Sequence, residues 1–154
     1  MLIKSFIIVT GILSAAPTGG RTMPAKKIDA PKDLLYDRNH MWVRKEGDTL
    51  IVGWTRHAVE NAGDVSYLVL PKKGEILVAG GDFGSIETGK WVGRFSSPVT
   101  GKVVAVNTDA MKDPGVLNDD PFGKGWLLKV KAKDVPKGLL DAKSYIKFVN
   151  SLEK

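Results

Sequence analysis

Residues 83–96 read FGSIETGKWVGRFS, and this stretch decides the fold prediction. Its first part, 83–87, predicts a short strand, and 92–97 predicts a second strand leaving a tight turn at 88–91. Lys90 would then lie at the tip of a hairpin. By its chemistry alone, a lysine at such a tip is a solvated charge with no assigned role.

The same pattern continues on both sides of this hairpin. Further strands are predicted at 40–44, 49–54, 65–70, 76–79, 102–107 and 126–131. Short strands repeating about every ten residues favour a β-sandwich or barrel. Residues 108–125, which contain two prolines, are predicted as a long loop.

Two helices interrupt the strand pattern. Thr55 is a favourable N-cap for a short helix at 56–62, and Gly63 is a natural stop. Near the C-terminus, residues 139–152 are predicted as an amphipathic helix that packs on the sheet. Its apolar positions fall at helical spacing: Ala142, Tyr145, Ile146, Val149 and Leu152.

Composition removes several classes of site. The 154 residues are 43% hydrophobic and 26% charged, which is typical of a globular chain. The absence of cysteine excludes disulfides, thiolate zinc sites, iron–sulfur clusters and cysteine nucleophiles. With only two histidines, a three-histidine metal site is impossible. The net charge of +6 comes from scattered residues, so nucleic-acid binding is not expected.

Other motifs are weak. Gly80–Gly84 lacks the lysine and spacing of a phosphate-binding loop. Asp113 and the pair at 119–120 lack the alternating ligands of an EF-hand. His40 and His57 have no carboxylate or serine at a suggestive spacing, so structural roles are expected for both.

The N-terminal segment differs from the rest. Lys4, an apolar run at 6–13 and small residues at 14–16 resemble a secretory signal peptide. Alternatively, translation begins at Met23, and a cytoplasmic location is expected. We therefore divide the chain into an N-terminal extension, 1–33, and one domain, 34–154.

A family resemblance covers residues 36–131. The matching blocks are YDRNHMWVR at 36–44, GWT at 53–55 with Ala58, GDV at 63–65, LPKKG at 70–74, FGSIETGK at 83–90, PVTG at 98–101 and NDDPFGKGWL at 118–127. They hold their spacing without insertions. Together they resemble the H protein of the glycine cleavage system, a lipoyl-carrying protein.

The resemblance implies a fold, a cofactor and a site. The fold would be mainly β, a hammerhead or barrel-sandwich hybrid of short antiparallel strands. Lipoate would be attached covalently to Lys90. Glu87, Gly89 and Trp91 would contribute to ligase recognition or docking beside the arm. The protein would be a carrier without catalytic residues, because the lipoyl group supplies the reactive sulfur.

The resemblance also implies partners. These would be a lipoate-protein ligase, glycine decarboxylase, aminomethyltransferase and dihydrolipoamide dehydrogenase. No membrane association is expected, and the carrier would be a monomer. Gly89, Trp91 and Arg94 depart from the usual H-protein pattern, in which an acidic or polar residue takes the place of Arg94.

Those departures leave two alternatives open. The sequence is also similar to H-like lipoate-binding proteins linked to heterodisulfide-reductase-like sulfur oxidation, whose arm carries sulfur. A third hypothesis is a scaffold that is never lipoylated. Biotin carriage is disfavoured because methionines do not flank Lys90.

Two tryptophans give structural expectations. Trp91 is expected to be partly exposed beside the arm. If Trp126 is a core residue, its replacement by Ala should cost about 3–5 kcal/mol.

Overall fold

A computed structural model describes residues 28–132 and 134–152. The signal-like segment and the alternative start at Met23 lie outside these residues. The elements, in chain order, are β1 (Leu35–Tyr36), β2 (Met41–Glu46), β3 (Thr49–Trp54), α1 (Arg56–Ala62), β4 (Val65–Val69), β5 (Ile76–Leu77), β6 (Asp82–Thr88), β7 (Val92–Ser96), β8 (Gly101–Val106), α2 (Thr108–Lys112), α3 (Val116–Asp119), β9 (Leu128–Lys131) and α4 (Ala142–Leu152).

The strands form two antiparallel sheets. The larger has the order β1-β2-β3-β9-β8-β5, and the smaller has the order β4-β6-β7. Buried side chains from both sheets meet in one apolar cluster, with Val52 and Val130 from the larger sheet and Ile86 and Phe95 from the smaller. The predicted class of short antiparallel strands is confirmed, and the arrangement fits a barrel-sandwich hybrid.

The segment 108–125 is not the long loop that was predicted. It contains α2 and α3. Asn107, predicted as the end of a strand, instead caps α2: its side chain accepts a hydrogen bond from the Ala110 N–H at 3.2 Å. The loop prediction was wrong because Pro114 separates α2 from α3 and Pro121 follows α3, so neither proline lies inside a helix.

Strand ends differ from the predictions by a few residues. β1 was missed because only two residues pair there. β9 begins at Leu128 rather than at 126. His40 precedes β2 and has a φ of 66°, a left-handed conformation that a strand cannot contain.

Both predicted helices form. Thr55 caps α1 by accepting from the Ala58 N–H at 3.3 Å, and Gly63, at a φ of 92°, ends it. α4 begins at Ala142 instead of 139. Leu140 is engaged in a two-way backbone pairing with Tyr36, at 2.8 and 2.6 Å, so it is not available to a helix.

The C-terminal helix builds a second apolar cluster. Tyr145 and Val149 pack there with Leu34, Tyr36 and other buried side chains. Among the described residues, no helix has both the length and the apolar character needed to span a membrane.

The two tryptophans of this second cluster differ in burial. Trp42 is fully buried and donates its indole N–H to the Pro121 carbonyl at 3.0 Å. Trp126 is only partly buried at the edge of the cluster, with the Lys129 ammonium 5.2 Å from its ring centre. Trp126 therefore does not meet the condition of full burial under which a cost of 3–5 kcal/mol was expected.

Candidate functional site

Lys90 lies at the exposed tip of the β6–β7 hairpin. Glu87 pairs with Val92 at the last rung of the ladder. The turn is closed by the Thr88 N–H, which donates to the Trp91 carbonyl at 2.8 Å, and the Lys90 N–H donates to the Thr88 hydroxyl at 3.3 Å. The tight turn predicted at 88–91 is confirmed, and these bonds fix the backbone from which the lysine projects.

The Lys90 side chain runs toward the end of α1. Its Cε lies 3.0 Å from the point that a Cβ on Gly63 would occupy. Gly63 thus leaves a path for the lysine stem while also ending the helix at a positive φ. Among the described residues Lys90 makes no ion pair, so its amine is available for acylation.

Asn118 fixes the backbone on both sides of Asp64, next to the Lys90 stem. Its side-chain amide donates to the Gly63 carbonyl at 2.9 Å, and its side-chain oxygen accepts from the Val65 N–H at 2.9 Å. The side chain therefore ties α3 to the junction between α1 and β4. In the sequence, Asn118 stands out only as part of a family block, because nothing local signals so distant a contact.

Trp91 folds onto the protein surface. Its ring stacks on that of Trp54, with centroids 6.0 Å apart and planes 8° apart, and Phe95 meets Trp54 edge-on at 5.5 Å. A Cβ on Gly93 would collide with the Trp91 indole. Trp91 is 45% exposed, which confirms the predicted partial exposure.

Glu87 lies just before the turn, and Gly89 lies within it, next to Lys90. Glu87 faces outward between Tyr67 and Val92, its neighbours on the two adjoining strands, which are 56% and 67% exposed. A Cβ on Gly89 would meet nothing within 4 Å. No contact among the described residues requires a glycine at this position.

A groove of about 600 Å³ opens beside Lys90. The hairpin, α1 and the residues before β2 form its walls. Apolar side chains, including Trp54, Trp91 and Phe95, make up part of the lining. The charged side chains that line it are Arg38, Lys90 and Arg94, and none of the described lining residues is a carboxylate.

His40 connects the groove to α4. Its Nδ1 lies 2.9 Å from the Tyr145 hydroxyl, which lies 2.8 Å from the hydroxyl of Thr55. Burial, together with the neighbouring His57, lowers the pKa of His40 to about 4. Burial raises the pKa of Tyr145 to about 12. His40 is therefore neutral near pH 7, in line with the structural role expected for it.

Comparison with known proteins identifies the family. A sequence model described as "Glycine cleavage H-protein" matches residues 34–152. The chain belongs to the glycine cleavage H-protein family. It is 46% identical over 118 residues to the glycine cleavage system H protein of Myxococcus xanthus, covering 75% of this chain and 91% of that relative. The H protein of Magnetococcus marinus is 42% identical over 117 residues, covering 75% and 84%.

A solved structure supports the same assignment. The glycine cleavage system H protein of Mycobacterium marinum superimposes with a TM-score of 0.73 at 36% identity, covering 78% of this chain and 98% of that one. The resemblance inferred from the sequence blocks is thus confirmed, and so is the fold that it implied.

Proposed function

We propose that this H-protein family member is a lipoyl carrier for glycine cleavage, with lipoate in amide linkage to Lys90. Membership of the family supports the carrier role, and the position of Lys90 supports the attachment site. The amine stands at an exposed hairpin tip, with a stiff turn beneath it and a groove beside it. The chain is a carrier component and not itself a catalyst.

The residues present fit a lipoyl group. When bound, lipoate supplies a dithiolane whose disulfide accepts and releases a carried group, and the chain has no cysteine of its own to do this. Lysine and lipoate together give an arm of roughly 12–15 Å, from ordinary bond lengths. The turn fixes the base of the arm, Gly63 leaves room for its stem, and the aromatic wall of the groove offers apolar cover.

The surface around the arm is what partners would meet first. Glu87 and Trp91 flank the tip, and Tyr67 and Val92 extend the exposed face of the smaller sheet. We propose that four partners bind to this region: a lipoate-protein ligase, glycine decarboxylase, aminomethyltransferase and dihydrolipoamide dehydrogenase. A tethered arm gives a docked partner a high effective concentration of the carried group.

One observation favours a second candidate function. The groove beside Lys90 presents Arg38 and Arg94 and no carboxylate among its described lining residues. An aminomethyl amine is a cation at neutral pH and would gain nothing from such walls. The two arginines would instead favour an anionic sulfur species, such as one carried in a heterodisulfide-reductase-like system.

The decisive experiment is loading of the full chain. Lys90→Arg keeps the positive charge but offers no amine that can form the amide. We expect intact mass and peptide mapping to show a lipoyl adduct at Lys90 in the parent and none in the variant. Lys102→Arg, at an exposed position of β8, is the matched control and should load like the parent. Equal loading of Lys90→Arg would refute the site, and an unloaded parent would favour the scaffold hypothesis.

Loaded protein then distinguishes the two cargoes. In glycine cleavage, the lipoylated chain should support release of carbon dioxide from glycine by glycine decarboxylase, and the Lys90→Arg variant should not. A loaded chain that never supports this release would favour sulfur carriage.

A further inference from the structure

The larger sheet carries a cluster of like charges on its outer side. Lys102 of β8 lies directly opposite Lys131 of β9, and Lys129 lies two residues before Lys131 on the same side. Val103 and Val130, which alternate with these lysines, are fully buried, so the lysine side chains point away from the core. Opposite side chains are about 5 Å apart, and alternate ones about 7 Å. Lys102, Lys129 and Lys131 thus form one compact patch, the lysine face.

The lysine face works against the stability of the fold. Like charges directly opposite each other in an antiparallel pair repel. The Lys131 ammonium is 3.9 Å from the Asp48 carboxylate, but these side chains are 66% and 75% exposed, so the ion pair contributes little. Lys102 makes no ion pair within the described residues. A repulsive pair that the fold compensates so weakly indicates a role in binding.

The other carboxylates of this region lie at its border. Glu46 is at the end of β2 and pairs with Thr49, so β3 separates it from Lys131. Glu75 lies in the turn before β5, where it accepts a hydrogen bond from the Lys72 N–H at 2.7 Å. Within the described residues, neither carboxylate forms an ion pair with the lysine face. An anionic partner would therefore compete with Asp48 alone, in a weak and exposed pair.

Exposed apolar side chains continue the surface beyond the lysines. Ile76 of β5 pairs with Lys102, and β5 is the last strand of the larger sheet. Ile76 and Val78 are both exposed. Protein interfaces combine apolar contacts with charged ones, whereas a phosphate backbone gains nothing from isoleucine or valine. The described strands β5, β8 and β9 contain no aromatic residue on which a base could stack or which could anchor in a membrane interface.

We propose that the lysine face, bordered by Ile76 and Val78, docks an acidic segment of a partner protein. Alternate carboxylates of an extended segment are about 7 Å apart, the same spacing as Lys129 and Lys131 along β9. Apolar residues of the segment would cover the exposed border. None of the three lysines lines the groove beside Lys90, so the docked segment would leave the hairpin tip accessible.

Titration of the full chain with a designed peptide tests the docking. The probe is a synthetic peptide with Asp or Glu at alternate positions and leucines among the remaining residues. In its matched control, every Asp and Glu is replaced by Asn and Gln. We expect the acidic peptide to shift the backbone amide NMR signals of β5, β8 and β9, and the control peptide to leave them unchanged. The affinity should fall as the ionic strength rises, since the lysines are exposed.

Charge variants show whether the lysine face is responsible. The triple variant Lys102→Gln, Lys129→Gln and Lys131→Gln should bind the acidic peptide at least about tenfold more weakly. A control triple variant removes the same net charge from α2 and α4, by Lys112→Gln, Lys143→Gln and Lys147→Gln. Its affinity should stay within about twofold of the parent.

Stability provides a readout that a purely structural role would move in the opposite direction. Lys102→Gln alone should raise the urea concentration at the midpoint of unfolding, because it relieves the repulsion from Lys131. Lys102→Arg keeps the charge and should leave the midpoint unchanged. A lower midpoint for Lys102→Gln would show that this lysine serves the fold, and would count against the proposal.

The proposal is overturned if the acidic peptide does not bind, or if the control triple variant weakens binding as much as the lysine variant does. Vesicles of phosphatidylcholine with phosphatidylglycerol and a short DNA duplex are titrated in parallel. Tighter binding of either probe at the lysine face would refute an acidic protein segment as the occupant. Failure of lipoate attachment at Lys90 would not affect these results, because no probe requires the arm.

Discussion

Replacement of Tyr145 by Phe isolates the polar link between α4 and the groove. The Tyr145 hydroxyl lies 2.9 Å from Nδ1 of His40 and 2.8 Å from the hydroxyl of Thr55. With His40 neutral, a consistent proton order has Thr55 donating to Tyr145 and Tyr145 donating to the imidazole. Phe keeps the ring, which stacks on Tyr36 with centroids 4.6 Å apart, and removes only the hydroxyl.

The magnitude follows from what is lost. A hydrogen bond contributes about 1 kcal/mol net, and a buried partner left unsatisfied costs more. Thr55 is fully buried and loses an acceptor, while His40 loses a donor. We therefore expect Tyr145→Phe to lower the free energy of unfolding by about 2–3 kcal/mol.

Urea unfolding followed by tryptophan fluorescence at pH 7.5 measures this change. Tyr67→Phe is the control. Tyr67 is 56% exposed, and its hydroxyl makes no hydrogen bond within the described residues, so its loss should change stability by less than about 0.5 kcal/mol. If Tyr145→Phe behaves like this control, the network does not hold the helix and the reasoning fails.

Three further predictions concern other parts of the fold. His40 has a pKa of about 4 in the fold against 6.5 for an ordinary histidine, so the unfolded chain binds its proton more tightly. The stability that depends on a neutral His40 is roughly 2 kcal/mol once the partial exposure of the ring is allowed for; it should be present above about pH 6.5 and disappear as the pH falls through 4. His40→Asn is chosen because asparagine tolerates the left-handed backbone at this position. It should remove the change in the free energy of unfolding between about pH 6.5 and 4, measured by urea titration. Gly93→Ala should displace the Trp91 indole from Trp54 and shift the tryptophan emission to longer wavelength. The free energy of unfolding should fall by less than about 1 kcal/mol, because the ring can move into solvent. Unchanged emission would show that the ring does not cover this glycine. Trp126→Ala should cost about 1–2 kcal/mol, well below the 3–5 kcal/mol expected for fully buried Trp42→Ala, and equal melting temperatures for the two variants would contradict the difference in burial.

Local chemistry made much of the architecture predictable. The turn at 88–91, the cap at Thr55 and the stop at Gly63 depend on neighbouring residues only, so their signals are present in short stretches of sequence. Strand alternation likewise identified eight of the nine strands that residues 28–152 contain in their described part, to within a few residues. The two-residue strand β1 was missed because two residues cannot establish a period.

Contacts between distant residues escaped the sequence analysis. Asn118 reaches Gly63 across 55 positions, and His40 meets Tyr145 across 105. Leu140 pairs with Tyr36, and α4 therefore begins at Ala142 and not at the predicted residue 139. The sequence carries no periodic or local signal for any of these contacts, because each depends on how separate elements pack.

The sequence by itself determined the mainly β class, the hairpin with Lys90 at its tip and the resemblance to H proteins. Each of these rests on residues close together in the chain or on spacings along it. Only the tertiary structure decided that Trp91 stacks on Trp54, that Gly63 clears the lysine stem, and that Arg38 and Arg94 share one groove. The physical reason is that a groove and its charge are properties of surfaces brought together by packing, and surfaces from different elements have no joint signature in a linear sequence.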